Sequence, residues 1–121
     1  MKMQLREKLD HLTLLELFWT EPKIANPEDG YWCYETQDEA GTFIRFGIDI
    51  IQESVQIDLK VAENSLLTFT YELVESLEII DRERGKFAFT VAPQINAIKT
   101  RIEIELRPCI KIQGYTLRND Y

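Results

Sequence analysis

The sequence of 121 residues is poor in the side chains that most often hold metals or carry out nucleophilic catalysis. It contains one histidine, His11, and two cysteines, Cys33 and Cys109. A single histidine excludes a multi-histidine metal site within one chain. Because His11 lies on a predicted helix without a recognisable orienting partner, we expect an ordinary exposed or capping residue. The cysteines have neither a CxxC nor a metal-ligand spacing, so we expect two reduced thiols and no metal.

Long apolar runs and the common enzyme motifs are also missing. No stretch approaches the 18 apolar residues of a membrane-spanning helix, and the N-terminus lacks the apolar core of a signal peptide. We therefore expect a cytoplasmic protein without membrane association. The patterns GxGxxG, GxxxxGK, GxSxG and HExxH do not occur. This leaves nucleotide-binding, α/β-hydrolase and zincin functions unsupported, and we expect no cofactor.

Acidic residues outnumber basic ones by 21 to 14, which gives a formal charge of -7. Residues 1–60 contain 12 acidic and 6 basic side chains, whereas residues 61–121 contain 9 and 8. An acidic domain repels phosphate backbones and anionic membrane surfaces, so we expect no nucleic-acid binding. Opposite charge accelerates encounter, so the expected partner is a basic protein.

Apolar periodicity predicts one helix followed by a β region. Leucines at positions 5, 9, 12 and 15 and Trp19 recur at helical spacing, which predicts a helix over about residues 4–19 with this stripe facing the core. The period then changes to two, and alternation predicts strands within residues 31–117. Polar links at 52–54, 63–65 and 82–85 predict hairpin turns, and Pro108 predicts a bend in the last ribbon.

These patterns predict a single α+β domain, mostly β, spanning residues 1–121. The short links indicate antiparallel neighbours. We expect the N-terminal helix to pack on a curved antiparallel sheet, or on a β-sandwich, of about seven or eight strands.

Paired carboxylates are the main candidates for catalysis. Glu103 and Glu105 share one strand face, and Asp49 and Asp58 lie on polar faces of consecutive strands. A solvated sheet face produces such pairs routinely, and Lys99, Arg101 and Arg107 are spaced to neutralise the glutamates. We therefore predict that the protein is not an enzyme.

Residues 28–39, here called the acidic-aromatic segment, are the candidate binding site. They combine five carboxylates with three aromatic rings and contain no basic residue. Aromatic residues anchor protein interfaces, and the surrounding charge steers a basic partner. Alternation requires some of these rings to face the core. The predicted partner-binding residues are Glu28, Asp29, Tyr31, Trp32, Tyr34, Glu35, Asp38 and Glu39.

The segment EDGYWCYETQDE (28–39) and the ribbon RIEIELRPCIKI (101–112) give the chain a class-level resemblance. It resembles the small immunity proteins of bacterial polymorphic and contact-dependent growth inhibition toxin systems. The resemblance implies an acidic, non-enzymatic single domain that neutralises a basic, nuclease-type toxin by occlusion. It implies no particular fold, since such proteins have unrelated folds, and no specific functional residue.

Two alternatives stay open at the level of sequence. The first is a small-molecule carrier or carboxylate-dependent enzyme, with a pocket lined by Tyr71, Phe87, Phe89 or Trp32. The second is a structural subunit whose sheet edge pairs with a copy of itself.

Overall fold

The computed structural model describes residues 2–4, 11–92 and 98–118. Within this part of the chain there are one α-helix, one short 3-10 helix and ten strands. In chain order these are β1 Lys2–Gln4, α1 His11–Phe18, β2 Ile24–Asn26, the 3-10 helix Pro27–Asp29, β3 Tyr31–Gln37, β4 Thr42–Asp49, β5 Ser54–Val61, β6 Asn64–Tyr71, β7 Val74–Asp81, β8 Lys86–Val91, β9 Ile98–Glu105 and β10 Lys111–Arg118.

The strands form two five-stranded antiparallel sheets. The first sheet has the order β2-β3-β4-β5-β6, and the second has the order β1-β7-β8-β9-β10. Most neighbours are consecutive in the chain because short turns join them. The turn between β5 and β6 consists of Ala62 and Glu63, one residue earlier than the predicted link. The bend at Pro108 separates β9 from β10, as predicted.

The core lies between the inner faces of the two sheets and is closed by α1. Phe46 of the first sheet contacts Phe87 of the second, with ring centroids 5.3 Å apart in an edge-on arrangement. Phe18 of α1 stacks on Tyr34 at 5.1 Å and on Phe46 at 5.7 Å. All of these rings are buried. One aromatic cluster therefore joins the helix to both sheets.

The fold class is confirmed, since the chain is mostly β with one short helix near the N-terminus. The described residues contain more strands than the seven or eight expected. β1 and β2 have three residues each, which is too short to display a period. Residues 74–81, which fit a strand or a helix by pattern, form β7.

The predicted helix bounds and buried stripe are wrong in part. Gln4 lies in β1, and α1 begins at His11 in the described residues, which do not include Leu5 and Leu9. Leu12 is 61% exposed and Trp19 is 63% exposed, so neither side chain belongs to the core. Trp19 has a φ of 57° and has already left the helix. Among the α1 side chains that the structure describes, Leu14, Leu17 and Phe18 are buried.

Candidate functional site

Charge is divided unequally between the two sheets. Residues 21–73, which contain the whole first sheet, include 11 acidic and three basic residues, a net charge of -8. Residues 74–118 contain six acidic and eight basic residues, a net charge of +2. Residues 21–73, here called the acidic half, therefore carry a net charge more negative than the -7 of the whole chain.

Carboxylates on the outer face of the second sheet are paired within the molecule. Arg101 bridges Glu78 at 2.7 Å and Glu103 at 3.2 Å. Lys99 pairs with Glu75 at 2.9 Å. These pairs reduce the field that this face presents to a partner.

Glu103 and Glu105, the candidate catalytic pair, belong to this network of ion pairs. Arg101 neutralises Glu103 as predicted, but Lys99 pairs elsewhere and Arg107 binds backbone carbonyls. The largely buried Glu105 lies 3.6 Å from Arg84 and 3.8 Å from Lys111. The sequence could not identify these partners because they come from a turn and a neighbouring strand.

The acidic-aromatic segment begins in the 3-10 helix and follows β3 into the turn before β4. Glu28 and Asp29 are exposed on the 3-10 helix, and Glu39 is exposed in the turn. Along β3, side chains alternate between the two faces of the first sheet. Four of the five carboxylates therefore lie beyond the two ends of β3, and Glu35 lies within the strand.

Two of the three predicted aromatic contacts point inward. Trp32 and Tyr34 belong to the buried core, so their rings do not lie on the surface. Tyr31 is half-buried on the outer face. Among the three aromatic residues predicted to bind a partner, Tyr31 is therefore the one whose ring is accessible from the surface. Its role in binding, like that of the surrounding carboxylates, stays a prediction.

The burial of Tyr34 makes stability sensitive to alkaline pH. Burial, with a smaller effect of the Glu21 carboxylate, raises the pKa of Tyr34 from 10.0 to about 12. A raised pKa contributes stability below the pKa of the unfolded chain, and this contribution is lost as pH rises through 10 towards 12. We expect the free energy of unfolding to fall over this range and Tyr34→Phe to make the fall shallower. Urea denaturation at a series of pH values measures this, and Tyr115→Phe, at an exposed position, is the control.

Tyr31 lies in a compact polar cluster on the outer face of the first sheet. A Cβ on Gly47 would lie 2.8 Å from the Tyr31 hydroxyl, so glycine allows the ring to cross β4. The Arg45 Nε donates to the Cys33 sulfur at 3.1 Å, and the Arg45 Nε lies 3.9 Å from Glu35. Burial, followed by the neighbouring Cys33, raises the pKa of Tyr31.

This cluster surrounds a shallow cavity of about 160 Å³, lined by Tyr31, Arg45, Gly47, Gln56 and Asp58. Tyrosine and arginine are enriched among the residues that dominate binding energy at interfaces. Sequence reasoning did not select Arg45. Its outward position on β4, opposite Glu35 in β3, follows from the same alternation that defined the strands.

Asp38 has a structural role in the fold. One carboxylate oxygen accepts the Thr42 N–H at 2.8 Å, which closes the β3–β4 turn. The other accepts the Ile110 N–H at 2.7 Å and so joins this turn to the segment before β10. Asp38 thus links the two sheets at one end, and its substitution would disturb the fold together with any interface.

A wider groove of about 630 Å³ lies at the end of the first sheet, between the β3–β4 and β5–β6 turns. Phe43 forms part of its wall, with the Lys60 ammonium 5.6 Å from the ring centroid. The aromatic residues suggested for a ligand pocket lie elsewhere. Trp32, Phe87 and Phe89 are buried in the core, where they pack against other side chains.

Among the residues that the structure describes, no three His, Cys, Asp or Glu side chains are grouped as a metal site requires. No helix in the same ranges combines the length and apolar character needed to cross a membrane. Cys33 is buried and Cys109 is exposed, and both are free thiols.

Comparison with known proteins identifies a structural relative. No family model matches the sequence, and no curated protein matches it either. The fold is similar to a chain of the contact-dependent growth inhibition toxin–immunity protein complex from Klebsiella pneumoniae 342, with a TM-score of 0.81 and 22% sequence identity. The similarity covers 95% of this chain and 100% of that chain. The resemblance to a protein of a contact-dependent growth inhibition toxin–immunity complex is therefore one of fold, and it extends over nearly the whole chain.

Proposed function

We propose that this protein is a non-enzymatic binding module that neutralises a basic, nuclease-type bacterial toxin by covering it. The observation that carries the proposal is the segregation of charge, with a net -8 in the acidic half and +2 in residues 74–118. The structural relative is part of a toxin–immunity protein complex, which supports the same class of function. A cytoplasmic location, where a toxin would act, belongs to this proposal.

The electrostatic part of the mechanism is long-range attraction. Charge concentrated on one side of a molecule raises the association rate of an oppositely charged partner and orients it before contact. The ion pairs of the second sheet leave little free charge there. A basic toxin would therefore approach the acidic half first.

Short-range contact would use the outer face and the ends of β3. The exposed Glu28, Asp29 and Glu39 supply charge, and Tyr31 with Arg45 supplies a partly desolvated centre. Such a centre holds a partner by slowing its dissociation, whereas rim charges act mainly on association. Inhibition by occlusion needs no chemistry from the bound protein.

The test is binding to the toxin-domain product of the adjacent gene. We expect the double variant Glu28→Lys/Glu39→Lys to associate about tenfold more slowly at low salt and to show a flatter salt dependence, since it removes the steering charge. Stopped-flow or surface-plasmon measurements at several salt concentrations give both quantities. The double variant Glu75→Lys/Glu83→Lys is the matched control because it reverses two charges on the other half.

Association rates that fall equally in both double variants would show that only total charge matters, and would contradict the assignment to the acidic half. A partner that is itself acidic, or an association rate indifferent to salt, would overturn the proposed function.

A further inference from the structure

Three of the four sheet edges in the described structure are protected in the usual ways. β1 and β2 have three residues each, and Pro27 follows β2 directly. β10 is longer but begins with the charged, exposed Lys111. Short edges, proline and charged side chains all discourage the addition of a foreign strand.

The fourth edge, β6, lacks these features. Its eight residues, NSLLTFTY, contain no charge, no proline and no glycine, and residues 64–70 are all exposed. A bulge at Leu66 interrupts its pairing with β5 near one end, but residues 67–71 pair regularly. β6 is therefore an unprotected edge of the kind to which other strands add.

The inner face of β6 also carries apolar side chains beyond the rim of the core. Leu67, opposite Leu59 of β5, is 45% exposed, and Phe69, opposite Ile57, is 39% exposed. Phe69 contacts Tyr71 at 6.0 Å, and Tyr71 contacts Phe89 of the second sheet at 5.5 Å. A strand added beside β6 would cover Phe69 and extend this row of rings.

Charge determines which strand fits this edge. Glu63 precedes β6 and Glu72 follows it, and both are exposed and without an ion pair in the described part of the chain. A second copy of the protein would bring another acidic half, with a net charge of -8, against this one. A basic segment would meet carboxylates at both ends of the strand.

We propose that β6 is a docking edge that takes an extended, basic segment of a partner protein as a sixth strand of the first sheet. Backbone hydrogen bonds along β6 would supply affinity, and Glu63 and Glu72 would select basic side chains. The partner's identity as a toxin rests on the proposed function, whereas the docking edge does not.

The probe is a synthetic eight-residue peptide of alternating lysine and valine with blocked ends, titrated into the isotopically labelled protein. We expect amide chemical-shift changes concentrated at residues 64–71. The same peptide N-methylated at every internal residue should bind about tenfold more weakly, because it cannot donate backbone hydrogen bonds. Thr68→Lys should weaken binding of the unmodified peptide, whereas Thr116→Lys, an exposed threonine on the β10 edge, should not.

Equal binding of the two peptides, or shifts that map outside residues 64–71, would overturn the proposal. A free protein that is already a dimer with protected β6 amides would overturn it in favour of a second copy at this edge. The peptide titration needs no toxin, so loss of toxin binding and loss of strand addition are separate results.

Discussion

Phe46→Ala is expected to lower the free energy of unfolding by roughly 3–5 kcal/mol, the usual cost of truncating a fully buried aromatic side chain. Phe46 is completely buried at the centre of the aromatic cluster. Its ring lies 5.7 Å from Phe18, 5.3 Å from Phe87 and 6.5 Å from Phe89, measured between centroids. Truncation would therefore leave a cavity where α1 and both sheets meet.

The matched control is Phe43→Ala, on the same strand. Phe43 lies three residues earlier and points to the outer face, where it is half-buried under Lys60. Its loss removes less apolar burial and creates no enclosed cavity, so we expect a change of about 1 kcal/mol or less. Urea denaturation of the three proteins measures both effects. Similar losses for the two variants would contradict the assignment of inner and outer faces on β4.

The inner faces of the strands were predictable because sheet alternation is a local property. In β4, Ile44, Phe46 and Ile48 occupy one face and are buried, as their period of two requires. The buried face of α1 was not predictable in the same way. Apolar residues lie on nearly all sides of HLTLLELF, so helical spacing fits both the exposed Leu12 and the buried Leu14. The choice between these faces depends on the sheets against which the helix packs.

The candidate site likewise combines features that the sequence predicts with features that it does not. The acidity of residues 28–39 and the inward direction of some rings follow from the sequence alone. The structural role of Asp38 does not, because its partner Ile110 lies 72 positions away. Nor could the sequence order the strands, so it could not show that β6 forms an edge or that Glu105 lies beside Arg84.

Arg107 shows how strongly the long-range contacts of a single side chain can determine the fold. Its Nη1 donates to the Leu17 carbonyl at 2.8 Å, at the end of α1. Its Nε and Nη2 donate to the Glu83 and Arg82 carbonyls at 2.8 and 2.9 Å, in the β7–β8 turn. The guanidinium also lies 3.5 Å from the Trp19 ring centroid. This one planar group therefore joins the helix end to the turn of the second sheet.

Arg107→Ala is expected to destabilise the protein by roughly 2–4 kcal/mol, because three carbonyls lose a charged donor and Trp19 loses its stacking partner. Burial lowers the pKa of Arg107, but an arginine stays protonated at any pH at which the protein folds. Arg107→Lys keeps the charge and cannot reproduce the planar fork, so we expect it to recover less than half of the loss. Denaturant melts measure stability, and near-ultraviolet circular dichroism reports on the environment of Trp19.

Arg82→Ala is the control, since Arg82 also connects α1 to the same turn, through a 2.8 Å ion pair with Glu16. Both side chains of that pair are 55% exposed, and exposed ion pairs contribute about 1 kcal/mol or less. We therefore expect Arg82→Ala to change stability little. If Arg82→Ala were as costly as Arg107→Ala, or if Arg107→Lys were as stable as the parent protein, charge alone would join the helix to the turn. The directional hydrogen bonds of the guanidinium would then be unnecessary for docking α1.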